Sequence, residues 1–98
     1  MKYLKNFEHN NKLIFKQYVV VYISTIDQYY IFRTLSCSTE STIYYDRYYY
    51  IDCYKNFITM DFIGHDYIEN LDILYQEDNE EDAITDFNIL LQLKKYNL

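Results

Sequence analysis

The stretch from Thr42 to Tyr54, TIYYDRYYYIDCY, decides the fold that we predict for this chain. It is rich in β-branched and aromatic residues, and the side chains of a strand point alternately to its two faces. One predicted face is apolar and consists of Ile43, Tyr45, Tyr49, Ile51 and Cys53. The opposite face consists of Tyr44, Asp46, Tyr48, Tyr50, Asp52 and Tyr54. Arg47 falls on the apolar face, where we expect it to lie near the sheet end or to pair with an acid from a helix.

A β-hairpin is predicted directly after this strand, with its second strand over Phe57–Ile63. Lys55-Asn56 can form a two-residue turn, because Asn tolerates a positive φ. The resulting pairs are Tyr54 with Phe57, Cys53 with Ile58, Ile51 with Met60 and Tyr49 with Phe62. A slip of one residue would exchange the two faces, so the sorting of apolar side chains supports this register.

The rest of the chain is expected to complete one α+β domain over residues 1–98. Two earlier strands are predicted, about Leu13–Ser24 and about Gln28–Ser36, with a turn between them that allows more than one length. After Gly64 the apolar spacing becomes helical, and two helices are predicted over residues 66–76 and 79–95. The predicted fold is a four-stranded antiparallel sheet of two hairpins (residues 12–63) followed by two C-terminal helices packed on one face.

Composition and charge limit the classes of function. The chain has 98 residues, 14 tyrosines, no proline and a net charge of −6. Residues 61–98 hold ten of the 15 acidic residues and two of the nine basic ones, which disfavours direct nucleic-acid binding by this part. There is no run of about 18 apolar residues that would predict a membrane span, and the first residues lack the apolar core of a signal peptide. A cytoplasmic protein that does not contact membranes is expected.

The polar face of the Thr42–Tyr54 strand is the first candidate binding surface. Tyrosine offers a wide contact area with a hydrogen-bonding tip, and a neighbouring Asp suits partners rich in Arg or Lys. We therefore expect partner-binding roles for Tyr44, Asp46, Tyr48, Tyr50, Asp52, Tyr54 and, on the paired strand, Asp61. The alternative is that these tyrosines are structural cross-strand pairs.

The acidic run Glu77-Asp78-Asn79-Glu80-Glu81-Asp82 is the second candidate surface. Its carboxylates could imitate the phosphates of DNA and occupy a nucleic-acid site on a basic protein. Calcium binding is disfavoured, because the run lacks the alternating ligands and the glycine of a calcium loop. The alternative is that these acids lie in the first turn of a helix only because the helix dipole stabilises them there.

The cysteine and histidine patterns indicate neither a metal site nor a catalytic one. Cys37 and Cys53 would lie at opposite ends of one strand, too far apart for a disulfide, so we expect both thiols to be reduced. Cys53 is expected to be a small core residue. With His9 and His65, these cysteines form no zinc pattern of short spacing. No metal, cofactor or catalytic residue is therefore predicted.

These features together predict a small, acidic, non-catalytic binding protein. Ile, Asn, Tyr, Phe and Lys, whose codons are rich in A and T, are abundant in the chain. In size, charge and this composition the chain resembles small proteins of phages, archaeal viruses and mobile elements, including inhibitors of host defence. That resemblance implies that the chain inhibits a host protein that handles nucleic acids in defence or repair. The basic surface of the host protein would bind the acidic, tyrosine-rich surface of this chain. The alternative is a viral structural or assembly protein that associates with itself, for example as a homodimer, through tyrosine-rich edge strands.

Overall fold

A computed structural model describes residues 15–95, which form a five-stranded sheet and one α-helix. The elements in chain order are β1 (Tyr18–Ile23), β2 (Gln28–Thr34), β3 (Thr42–Ile51), β4 (Phe57–Tyr67), a 3-10 turn (Ile68–Asn70), β5 (Asp72–Glu77) and α1 (Glu80–Lys95). All neighbouring strands are antiparallel, in the order β4-β3-β2-β1-β5, so β4 and β5 are the sheet edges. The predicted start of the first strand at Leu13 lies outside the described residues.

The prediction of four strands followed by two helices is wrong in its second half. No α-helix covers residues 66–76, because β4 continues to Tyr67 and β5 occupies Asp72–Glu77, with only the short 3-10 turn between them. Tyr67, Ile68, Leu71, Leu74 and Tyr75 fit a helical spacing, but β5 instead pairs with β1, which satisfies the backbone groups of both strands. The second predicted helix, over residues 79–95, is confirmed as α1.

The hairpin of β3 and β4 exists, but its register differs from the predicted one by three residues. Ile51 pairs with Phe57, and residues 52–56 form a longer loop in place of the predicted turn. Within this loop the Asp52 carboxylate accepts hydrogen bonds from the backbone N–H groups of Tyr54 and Asn56, both at 2.9 Å. This carboxylate favours the longer loop, because it satisfies two donors that the two-residue turn would not present. Cys53 is consequently exposed in the loop and is not the core residue that we predicted.

The sheet has two faces, and α1 covers one of them, which we call the helix face. There, Ala83 and Phe87 of α1 pack against Val20, Ile31 and Tyr49, and all five side chains are buried. The apolar face of a helix gains most of its stability from packing of this kind.

The opposite face, which we call the far face, has a core of its own. Val19, Val21 and Phe32 are buried there together with Ile68 and Leu71, which belong to the connection between β4 and β5. The connection therefore lies across the far face, where its side chains share a core with residues of β1, β2 and β3. The fold thus consists of a sheet with α1 on one face and a short irregular segment on the other.

Candidate protein-interaction surfaces

The predicted stripe of tyrosines and aspartates is divided between the two faces of the sheet. β3 has one extra residue, Asp46, relative to β2, and such bulges change the direction of side chains. The Asp46 carboxylate accepts a hydrogen bond from Arg33 Nε at 2.7 Å. Arg33 lies two residues after the buried Ile31, so both side chains point to the helix face. Asp46 therefore stabilises a structural ion pair on that face, and Tyr44 lies on the same side of β3.

Tyr48 and Tyr50 lie on the far face instead. Their rings contact the ring of Tyr30, with centroids 5.8 and 5.5 Å apart. The last two members of the stripe, Asp52 and Tyr54, lie in the loop after β3, where the Asp52 carboxylate holds the backbone and Tyr54 is 81% exposed. The structure therefore does not bring these six residues together as one surface.

The acidic run forms a continuous surface at the junction of β5 and α1, which we call the acidic corner (Glu77, Asp78, Glu80, Glu81 and Asp82). Asn79 is the N-cap, since its Oδ1 accepts a hydrogen bond from the backbone N–H of Asp82 at 2.9 Å. Its side-chain amide also donates to Asp82 Oδ2 at 3.0 Å. The cap fixes where α1 begins and so places three acids in its first turn, where the helix dipole stabilises negative charge.

Arg47 links the acidic corner to Asp61 on β4. Its Nε donates to Asp61 Oδ1 at 2.6 Å, and its Nη1 lies 3.9 Å from Glu80 Oε2. The guanidinium holds the pKa of Asp61 below its ordinary value. The hydroxyl of the buried Tyr49 also donates to Glu80 Oε2, at 2.5 Å. Asp61 and Glu80, which are 19 positions apart in the sequence, therefore belong to one charged surface.

Few cations neutralise this surface. Among residues 15–95, the ion pairs with the corner and with Asp61 involve only Arg47 and Lys16, whose Nζ lies 3.9 Å from Asp78 Oδ2. The corner and Asp61 contribute six carboxylates, so negative charge remains in excess. A field of this sign attracts basic surfaces and accelerates their association.

Asp86 adds a carboxyl that the sequence analysis did not single out. It contacts Glu77, and the hydrogen bond between the two carboxyls raises the pKa of Glu77 above its ordinary value. Asp86 Oδ2 is buried without a hydrogen-bond partner. The available signal was its spacing from Asp82, because residues four apart lie on the same side of a helix. Asp86 therefore extends the group of carboxyls at the acidic corner onto the next turn of α1.

A pocket of about 330 Å³ opens on the far face, beside the turn between β1 and β2. Aromatic rings and one carboxylate line it: Tyr30, Phe32, Tyr45, Tyr48, Phe62 and Asp66. The sequence did not indicate this site, and Asp66 fell at the start of the helix predicted over residues 66–76. No local pattern could have shown the pocket, because its residues come from four strands and from the turn between β1 and β2, and they meet only when the strands pair.

The outer edge of β4 is the third exposed feature. β4 is 11 residues long and has a neighbour on one side only within the described sheet. Phe62 and Ile63, which lie opposite the bulged Asp46, are 56% and 78% exposed. A long edge with exposed apolar side chains is suited to pairing with another strand.

The remaining predictions concern cysteines, metals and membranes. Cys37 and Cys53 are exposed and do not form a disulfide. Within residues 15–95, no three side chains of His, Cys, Asp or Glu cluster as candidate metal ligands. No helix in that range has the length and apolar character needed to cross a membrane. Comparison with protein-family models, curated proteins and solved structures gave no match to this chain.

Proposed function

We propose that this chain is a non-catalytic binding protein that engages a basic surface of another protein. The target surface is the nucleic-acid site of a defence or repair protein, and the chain is an inhibitor encoded by a virus, phage or mobile element and active in the host cytoplasm. The observation that supports this most is the acidic corner with Asp61. Five of these six carboxylates are exposed and the sixth, Glu77, is half-buried.

The corner is suited to this role because two of its carboxylates, those of Glu80 and Asp82, are held by the fold. The N-cap fixes Asp82, while Tyr49 and Arg47 both hold Glu80. A group that is already ordered loses less entropy on binding than a free surface side chain. Charges placed in this way raise the association rate with a basic partner and disfavour acidic ones.

Affinity capture tests the proposal. The tagged chain is incubated with lysates of low-GC bacteria and of archaea, and bound proteins are eluted with a salt gradient. The test variant carries Asp78→Lys and Glu81→Lys, which reverse two exposed charges of the corner. The control carries Glu40→Lys and Glu69→Lys, which make the same change in net charge outside the corner at two other exposed positions.

We expect the parent chain and the control to retain a nucleic-acid-binding protein that elutes at moderate salt, because salt screens exposed charges. The corner variant should not retain it. Equal retention by the two variants would contradict the proposal. Asp46 and Asp52 are unsuitable for this test, because they hold Arg33 and the loop after β3, so their substitution would disturb the fold.

A second candidate function is self-association through β4, which the exposed outer edge favours. Two copies could pair their β4 edges in antiparallel fashion and bury Phe62 and Ile63. Sedimentation would then show a dimer that persists at high salt, since apolar contacts are not screened. Ile63→Lys should dissociate it, whereas Tyr54→Lys, at an equally exposed position in the loop, should not. A monomer at all concentrations would exclude this candidate.

A further inference from the structure

The far-face pocket is built from rings that support one another. Phe32 and Tyr45 stack with their centroids 4.3 Å apart and their planes within 2° of parallel. Tyr48 contacts Tyr45 edge to face at 6.0 Å and Phe62 at 6.3 Å. Because these contacts fix the ring positions, the pocket is formed before any ligand binds. Preformed aromatic pockets of this kind lower the entropic cost of binding.

One carboxylate, that of Asp66, lies among these rings and is half-buried. Within residues 15–95 no Lys or Arg forms an ion pair with it, and the charge of the neighbouring His65 only partly offsets its burial. Burial raises its pKa above the ordinary value of an aspartate. The ionised form therefore costs stability in the free protein and would be stabilised by a cation brought from outside.

We propose that this pocket binds the side chain of an arginine from a partner protein. The planar guanidinium packs against aromatic ring faces and also donates charge-assisted hydrogen bonds to a carboxylate, so it matches both components of the site. Its aliphatic stem packs on the apolar wall near the β1–β2 turn. The volume of about 330 Å³ is that of a small ligand site and suits one side chain.

The inference does not depend on the acidic corner. Asp66 pairs with Ile43 on β3 and shares the far face with Tyr45, whereas Asp61 and Glu80 meet Arg47 on the helix face. Failure of one site therefore leaves the other untouched, and the two can be tested separately.

NMR titration of the full chain with N-acetyl-arginine amide tests the proposal. The matched probe is N-acetyl-citrulline amide, which has nearly the same shape but no charge. The arginine probe should shift the ring signals of Tyr30, Tyr48 and Phe62, and the citrulline probe should bind at least roughly tenfold more weakly. Asp66→Asn should weaken arginine binding by a similar factor, whereas Asp72→Asn, on the exposed side of β5, should leave it unchanged.

Several results would overturn the proposal. Equal binding of the two probes would show that charge is not recognised. Unchanged arginine binding by Asp66→Asn would place the probe elsewhere, for example at the acidic corner. Absence of ring shifts up to the solubility limit of the probe would show that the pocket does not accept arginine. The melting temperature of Asp66→Asn confirms folding and should equal or exceed that of the parent.

Discussion

Replacing Phe87 with alanine tests how α1 is held on the sheet. The Phe87 side chain is 0% exposed, and its ring contacts Phe57 with centroids 5.9 Å apart. Removing a buried phenylalanine loses its transfer free energy and leaves a cavity, at a cost of about 3–5 kcal/mol. Domains of this size have a free energy of unfolding of about 5–15 kcal/mol, so the variant should lose about a fifth or more of its stability. The corresponding fall in melting temperature is at least about 12 °C.

Urea unfolding followed by far-UV circular dichroism measures the effect. The midpoints of the variant and the parent are compared at the same dependence of the free energy of unfolding on urea concentration. The matched control is Ile89→Ala, two positions later in the same helix, where the side chain is 49% exposed. That substitution should change the free energy of unfolding by no more than about 0.5 kcal/mol. If the two variants differed by less than about 1 kcal/mol, docking of α1 through Phe87 would be refuted.

Three further substitutions probe the N-cap of α1, the acidic corner and the packing around Gly64. Asn79→Ala should lower the free energy of unfolding by about 1 kcal/mol in urea, because the N-cap hydrogen bond is lost. Glu77→Gln should raise the melting temperature at neutral pH. The contact with Asp86 raises the pKa of Glu77 in the folded chain above its value in the unfolded chain. The stability that the Glu77 carboxyl contributes is therefore present below its unfolded pKa and is lost as the pH rises through its folded pKa. Thermal melts of Glu77→Gln across this pH range should not show that loss of stability. Gly64→Ala should cost about 1–3 kcal/mol in urea, since the added Cβ would lie 2.7 Å from the ring of Phe62 and 2.9 Å from the hydroxyl of the buried Tyr45.

Controls and contrary outcomes are specific to each change. Asn88→Ala, exposed in the middle of α1, should not destabilise the chain, because alanine is the better helix former. Glu69→Gln, at an exposed position in the connection between β4 and β5, should not raise the melting temperature at neutral pH. If Glu77→Gln instead lowered stability at neutral pH, the contact between the two carboxyls would have to be favourable. If Gly64→Ala matched the parent, the space beside Tyr45 would be larger than the structure indicates.

Local patterns were sufficient to predict β3 and α1. The residues from Thr42 to Ile51 favour strands throughout, so propensity was sufficient for β3, although the bulge at Asp46 breaks the alternation of its faces. Asn79 is a good cap and is followed by apolar residues at helical spacing, which gives two signals for one element.

Non-local contacts determine the parts that were predicted wrongly. The stretch from Asp72 to Glu77 becomes a strand because it pairs with β1, more than 50 positions earlier in the chain. No period within the stretch can show that pairing. The register of β3 and β4 depends on Asp52, whose carboxylate binds two backbone donors in the loop, and an apolar pattern contains no information about such a contact.

The candidate surfaces were predictable to different degrees. The acidic run was visible in the sequence, and so was its place at the start of a helix. The link to Asp61 through Arg47 depends on strand pairing, and the division of the tyrosine stripe depends on the bulge at Asp46. The far-face pocket depends on the pairing of four strands and on the turn between β1 and β2, so it could not be seen before the fold was known.

The most direct test of the proposed inhibition is displacement of the captured partner by DNA. A short DNA duplex is added to the complex of the chain with its partner at constant ionic strength. The fraction of partner that the duplex releases is compared with the fraction that an uncharged polymer releases. If the acidic corner occupies a nucleic-acid site, the duplex should release the partner and the uncharged polymer should not. A partner that stays bound at saturating duplex, while still binding that duplex itself, would show that the chain does not occupy the nucleic-acid site and would contradict the proposed mechanism.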